Sequence, residues 1–347
     1  MTRPIVYALL AAALFGASTP FAKLLLGDVS PWLLAGLLYL GSGIGLGGYR
    51  VVRDGQWKPS GLTPGEWPWL AGAIVFGGVL GPLALMFGLS RTPGAAASLL
   101  LNLEAVLTAV LAWCVFREAT DRRVVLGMVA IVIGGLLLSW SSSAGHDAGS
   151  LPGPLAIVLA CLCWAIDNNL TRQVSAADAV FIASVKGAVA GGVNVALAVM
   201  LGADWPSAEL VGATLLVGLL GYGVSLVMFV LALRGLGTAR TGAYFSTAPF
   251  IGAALSLVML DEVAGPGFWW ATGFMAIGVW LHLSERHEHV HTHEATAHRH
   301  MHVHDAHHQH AHEPETPPGE PHEHWHRHEP VTHKHPHFPD IHHRHSH

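Results

Sequence analysis

Ten apolar stretches, each close to the length that a helix needs to cross a bilayer, dominate this 347-residue chain. A hydrocarbon core of about 30 Å takes about 20 residues at 1.5 Å rise each, and a backbone within it must satisfy its own polar groups, so helices are the expected elements. The stretches run near Pro4–Leu26, Trp32–Tyr49, Trp67–Leu89, Pro93–Phe116, Val124–Trp140, Pro154–Leu170, Ala179–Leu201, Leu210–Leu233, Thr238–Leu260 and Gly267–Leu283. With 52% apolar and only 12% charged residues, the composition lies outside ordinary soluble usage. The first stretch, after Met1-Thr2-Arg3, is longer than a signal h-region and reads as a retained span. Cys114, Cys161 and Cys163 all lie within apolar stretches, which excludes a disulfide framework or a zinc knuckle and leaves packing.

Loops numbered alternately collect Arg3, Arg50, Arg53, Lys58, Arg117, Arg122, Arg123, Arg172, Arg234, Arg240 and Arg286 on one side and only Lys23 and Arg91 on the other. Positive residues are retained on the cytoplasmic side, so both termini are expected there, in a cell inner membrane. The chain also repeats itself. Leu14-Phe15-Gly16-Ala17-Ser18 aligns with Cys163-Trp164-Ala165-Ile166-Asp167 at an offset of 149; Glu118 aligns with Glu262, and Gly127 and Gly134 with Ala271 and Gly278, at 144. Each half has five spans, an odd number, so the second half enters the membrane inverted, an arrangement typical of secondary transporters that bind substrate at the repeat interface. The expected organisation is an all-α membrane protein of about ten spans in two inverted five-helix repeats, residues 1–140 and 154–284. A periplasmic linker (141–153) joins them, and a disordered cytoplasmic tail (285–347) follows.

These residues resemble the EamA family of the drug/metabolite transporter superfamily. The similarity is carried by Phe15-Gly16 and Lys23 in the first span, Trp164 in the sixth, Pro249 in the ninth, Glu118 and Glu262 closing the fourth and ninth, and the glycine-spaced helix after each. It covers about Pro4 to Leu283. Where the first repeat of such proteins carries a proline matching Pro249, this chain has Ala105, preceded by Glu104. The resemblance implies secondary transport of a small molecule, commonly export of amino acids, related metabolites or drugs.

Ionisable groups within spans are costly unless they face a cavity or pair, which makes them functional candidates. Glu104 lies about 16 Å into the fourth span and Lys186 about 12 Å into the seventh, so Glu104 is the first candidate for substrate or proton coupling, with Lys186 as its partner. The alternative is an ion pair that only fixes helix register. Asp167, Asn168 and Asn169 make a polar step in the sixth span, with Asn102 a further polar group in the fourth; they line a pathway or serve as interhelical hydrogen-bond glue. Glu118 and Glu262, at helix ends, are expected to gate or cap, and Lys23 either snorkels or serves the outer mouth. Gly41/Gly45, Gly77/Gly81 and Gly187/Gly191 have the spacing of close helix packing.

Of the 25 histidines, all but His146 and His282 lie between His287 and His347. They alternate as His287, His289, His291 and His293; His298, His300, His302 and His304; His322, His324, His326 and His328; and His333, His335 and His337. Neutral imidazole suits nickel, cobalt, zinc and copper(II), so the tail is a candidate metal-binding region; pH sensing, lipid attachment or a low-complexity extension compete with that. The leading expectation is an exporter of small organic metabolites with a metal-binding regulatory tail. A divalent nickel, cobalt or zinc transporter and a membrane-anchored metal buffer or sensor are the alternatives. Catalysis is not expected, because no nucleophile–base pair or phosphate-cradling loop occurs. No cofactor is required. The partners are the substrate, membrane lipids and metal ions at the tail; nucleic acid is not among them, and homo-oligomerisation stays open.

Overall fold

The computed structural model describes residues 3–55, 60–116, 122–143, 151–174 and 177–284 and, within the tail, 288–293, 296–302, 322–328 and 331–336. The chain divides into two units, one comprising the helices and the other residues 286–338. The helical unit contains α1 (Arg3–Leu25), α2 (Pro31–Asp54), α3 (Trp67–Ala73), α4 (Gly81–Ser90), α5 (Gly94–Leu100), α6 (Leu103–Phe116), α7 (Arg122–Ser143), α8 (Pro152–Val174), α9 (Ala179–Met200), α10 (Ala208–Gly218), α11 (Ser225–Phe245), α12 (Ala248–Met259) and α13 (Pro266–Leu283). Nine helical stretches among the described residues are long and apolar enough to cross a membrane. The tenth apolar stretch of the sequence folds as α13, which is not among those nine.

Local chemistry sets the boundaries. Ser30 accepts from the Leu33 N–H (3.4 Å) with Pro31 in the first turn of α2, and Gly55 ends that helix at φ 62°, a conformation that costs glycine nothing. Two features interrupt spans that hydropathy reads as continuous. A π-helical turn, Ile74–Leu80, joins α3 to α4, and another, Leu219–Val224, joins α10 to α11. The fourth span breaks at Leu101-Asn102 between α5 and α6, and the ninth breaks at Ser246-Thr247 before α12. The rings of Phe229 and Phe245 lie 4.9 Å apart. Sixteen residues of straight helix would hold them about 24 Å apart, so the chain reverses between them even though α11 is helical along its length.

The helices pair α2 with α9, α7 with α13, α1 with α11 and α12, α4 with α8, and α5 with α12. Glycine permits the tightest of these approaches. A Cβ on Gly127 would lie 2.8 Å from the Gly278 carbonyl and one on Gly278 2.6 Å from the Gly127 carbonyl; Gly43 and Gly187 oppose each other in the same way between α2 and α9. The expected close packing at Gly41/Gly45, Gly77/Gly81 and Gly187/Gly191 is present at each pair: against α10 and the second π turn, against α8, and against α2. Side chains such as Leu126, Val129 and Leu136 of α7 and Trp269, Trp270 and Trp280 of α13 are exposed, as the lipid-facing flank of a bundle must be.

The described residues of the tail lie in four strands. Strands β1 (Glu288–His293) and β4 (Val331–Pro336) pair antiparallel, as do β2 (Thr296–His302) and β3 (His322–His328). Strict alternation of histidine with other residues, among them the β-branched Val290, Thr292, Val331 and Thr332, is a strand period, and pairing satisfies backbone groups that a lone extended segment would leave to water.

Candidate functional site: a polar cavity between the helices

Glu104 is in the first turn of α6 because the chain breaks just before it. Asn102 makes the break: its backbone N–H donates to the Leu99 carbonyl (3.0 Å), and its side-chain amide donates to the same carbonyl (3.1 Å) and approaches Met275 Sδ (3.8 Å). Asn102 is thus a buried structural residue and not part of the cavity wall. The break gives the Glu104 carboxyl the positive end of a helix within the membrane region. Asn168 Nδ2 donates to Glu104 Oε1 at 2.8 Å and approaches Thr108 Oγ1 at 3.5 Å.

Lys186 does not pair with Glu104, as depth alone suggested. Its ammonium reaches both Asp167 oxygens at 2.7 Å and Thr171 Oγ1 at 3.5 Å, while Thr171 Oγ1 donates to Asp167 Oδ1 at 2.8 Å. The reason lies in the approach of the first π turn, Ile74–Leu80. Gly77 sits where any side chain would collide with Asp167, and Gly78 where one would meet Ala190 of α9 at 2.5 Å, so a bare stretch of π turn lies beneath the pair and lets Lys186 reach across. The π turn also frees carbonyls. Gly77 O accepts from Tyr39 Oη (2.6 Å) and Trp164 Nε1 (3.0 Å), and Gly78 O accepts from Asn194 Nδ2 (3.0 Å). Asn169 turns back to its own helix, donating to the Ala165 carbonyl at 2.8 Å.

These groups line one cavity with about 640 Å³ of atom-free space, part of it open to the exterior. Glu104, Asp167, Asn168 and Lys186 form its polar wall, and Phe15, Tyr39, Trp164, Tyr222, Phe229 and Phe245 its aromatic wall. Phe15 ties the rings together, 5.8 Å from Trp164, 5.9 Å from Tyr222 and 5.3 Å from Phe245. Of the lining, the sequence pointed to Glu104, Asp167, Asn168 and Lys186 as pathway candidates and to Phe15 and Trp164 only as part of the family resemblance; it missed Tyr39, Ser42, Tyr222, Ser225, Phe229 and Phe245. The readable signal was Tyr222, set between Gly221 and Gly223 in the eighth span.

The two ends of the bundle are held differently. At one, Glu262 Oε1 accepts from the Gly94 N–H (2.6 Å) and Oε2 from the Ala95 N–H (2.8 Å), closing α12 onto the start of α5. Lys23 Nζ donates there to the Leu89 (2.6 Å) and Thr92 (2.8 Å) carbonyls. At the other, Asp178 caps α9, accepting from the Val180 N–H (2.8 Å), and pairs with Arg53 (2.6 Å) and Arg50 (3.5 Å) of α2. Burial works to raise the Asp178 pKa, but the Arg53 guanidinium and the Phe181 and Val180 N–H groups outweigh it and hold the carboxyl below its ordinary value. Glu118, His287, His304 and His337 lie outside the described residues. The other tail histidines are described by strand register only. Among the described residues no group of three His, Cys, Asp or Glu is placed to hold a metal ion.

The model of the EamA-like transporter family matches residues 2–140 and 151–284. An uncharacterized transporter of Methanothermobacter thermautotrophicus is 26% identical over 267 residues, 73% of this chain and 78% of that protein. An uncharacterized transporter of Synechocystis sp. is 25% identical over 302 residues, 79% of this chain and 88% of its own length. One crystal structure superposes with a TM-score of 0.62 at 18% identity, covering 80% of this chain and 95% of the other, a likeness of fold.

Proposed function

The chain belongs to the EamA-like transporter family and is a multi-pass membrane transporter, and from that premise we propose that it exports a small organic metabolite by alternating access around the cavity bounded by Glu104, Asp167, Lys186 and the Phe15 cluster. The observation that carries this is an aromatic-walled cavity at mid-helix depth that brings Glu104, Asp167, Asn168 and Lys186 together. Charges at such depth are maintained where water or substrate enters.

Two inverted repeats are the arrangement we propose. Exchange of one half for the other maps the helix pairs onto themselves: α1 with α11 becomes α8 with α4, while α2–α9 and α7–α13 each map to themselves. Gly43 and Gly187 differ by the same offset of 144 that relates Glu118 to Glu262. If the arginine-rich end faces the cytoplasm, the Lys23 and Glu262 clasps close the outer end, and the cavity, which extends to Ala183 within a turn or so of the start of α9, is loaded from inside.

The tail is proposed as a metal-binding regulatory appendage. Its register sets His298 opposite His326, His300 opposite His324 and His302 opposite His322, with His289 opposite His335 and His291 opposite His333 in the other sheet. That register and a composition suited to nickel, cobalt, zinc or copper(II) support the reading.

The test is solute exchange in proteoliposomes loaded with a metabolite mixture, with efflux followed by mass spectrometry. The full chain and a truncation after Glu285 are expected to release the same solute, whereas Glu104→Gln slows release at least about tenfold, the loss of one charge-assisted contact. Release of nickel, cobalt or zinc in place of an organic solute, abolished by truncation, would establish the metal-transporter reading.

A further inference from the structure

The cavity's ionisable groups do not all find partners. Asp167 and Lys186 neutralise each other: the ammonium is engaged by both carboxylate oxygens and by Thr171, and Lys186 is 3% exposed. Glu104 has no such partner. Its described contact is the neutral amide of Asn168, and among the described residues no cation lies within ion-pair distance of it. The lining contains no further basic residue. Arg172, one turn beyond Asn168 on α8, is not part of the wall. Much of the remaining surface is aromatic, with rings from α1, α2, α8, α11 and the second π turn clustered about Phe15 beside Ser42, Ser225 and Leu226, and the faces of such rings attract cations as well as apolar bodies.

We propose, resting on the transporter reading above, that the cavity selects organic monocations: an ammonium group paired with Glu104 and a hydrophobic body held among Phe15, Trp164, Tyr222 and Phe245. The geometry excludes the carboxylates and amino acids that a free lysine would admit. A substrate carboxylate would need the Lys186 ammonium, and taking it would strand Asp167 as an unpaired buried anion. An amine and the amino acid from which it derives by loss of carbon dioxide should therefore be told apart at this site.

Binding to the full chain purified in detergent, measured by isothermal titration calorimetry, tests this with phenethylammonium, tryptammonium and tetrapropylammonium as cations. Phenylalanine and 3-phenylpropionate are the zwitterionic and anionic counterparts. The expected result is saturable binding of at least one cation, at least about tenfold weaker binding of both carboxylates, and at least about tenfold loss of cation binding in Glu104→Gln. Glu104→Asp, which keeps the charge, should retain part of the affinity. Thermal unfolding of each variant separates loss of the site from loss of the fold. Binding of phenylalanine or phenylpropionate as tightly as the cations, unchanged cation binding in Glu104→Gln, or no cation binding at millimolar concentration would overturn the assignment. Exchange of an anionic or zwitterionic solute by the wild-type vesicles would do so while leaving the transporter reading intact.

Discussion

Lys186 and Asp167 are both within the membrane region and nearly excluded from solvent, with side chains 3% and 10% exposed. Two charges brought there together cost less than either alone, because each supplies the field that water would have provided, and Thr171 satisfies a further oxygen. Removing one partner is therefore the damaging change. Lys186→Met should lower stability by about 3 to 5 kcal/mol, and adding Asp167→Asn to it should restore most of the loss. Thermal unfolding of the single and double variants measures both; a double variant no more stable than Lys186→Met would mean that the pair is not coupled. Asp178 behaves differently because it sits at a helix end within reach of water. Its folded pKa is lowered, so the stability it contributes is present above the unfolded carboxylate value of about 3.9 and is lost as pH falls through the lower folded value. Asp178→Asn should thus unfold more readily than wild type at pH 7, by about 1 kcal/mol, with the gap closing in acid as the wild-type carboxyl protonates. A gap of equal size at pH 7 and in acid would assign the role of Asp178 to capping by its oxygen rather than to charge.

At the scale of elements, the π turns and helix breaks place chemistry that straight helices would keep apart. Gly77 is the position where this is most exposed to test. A methyl group there would collide with the Asp167 carboxylate, so Gly77→Ala should cost about 1 to 3 kcal/mol as overpacking and loosen the Lys186 pair. The same change at Gly212, where nothing lies nearby, should be neutral or slightly stabilising, and equal effects at the two sites would contradict the packing described. The elements themselves were largely legible in the sequence, since a run of apolar residues bounded by Ser30-Pro31 or Ser207 has few alternatives. The interruptions were not. Hydropathy sums over a window and carries no record of a π turn at Ile74–Leu80 or of a break at Asn102, both of which depend on glycines and on side-chain bonds to freed carbonyls. For the same reason depth placed Glu104 and Lys186 at one level but not on facing sides of their helices: azimuth is set by neighbours, and the neighbour that decided it was the bare surface of Gly77 and Gly78. Histidine alternation is legible as a period of two, yet strand pairing in the tail depends on a partner 20 to 48 residues away, which no local pattern identifies.

At the scale of the whole molecule, one end of the bundle is closed by backbone amides donating to Glu262 and by Lys23 on two carbonyls, while the cavity extends toward the end held by Arg53 and Asp178. The sequence's charge asymmetry and internal offsets are the basis of the orientation and the inverted repeats proposed above, because charge bias sets the direction in which apolar spans insert. The central claim is that the cavity around Glu104 opens to the face carrying the arginine-rich loops and not to the other. Cysteine accessibility measures that directly. With Cys114, Cys161 and Cys163 replaced, a single cysteine at Leu226, on the cavity wall, or at Val263, fully exposed at the clasped end, is exposed to a membrane-impermeant maleimide in right-side-out and inverted vesicles. The result expected is that Leu226→Cys labels only in inverted vesicles and Val263→Cys only in right-side-out ones. Labelling of both from the same side, or of Leu226→Cys from outside alone, would contradict the account.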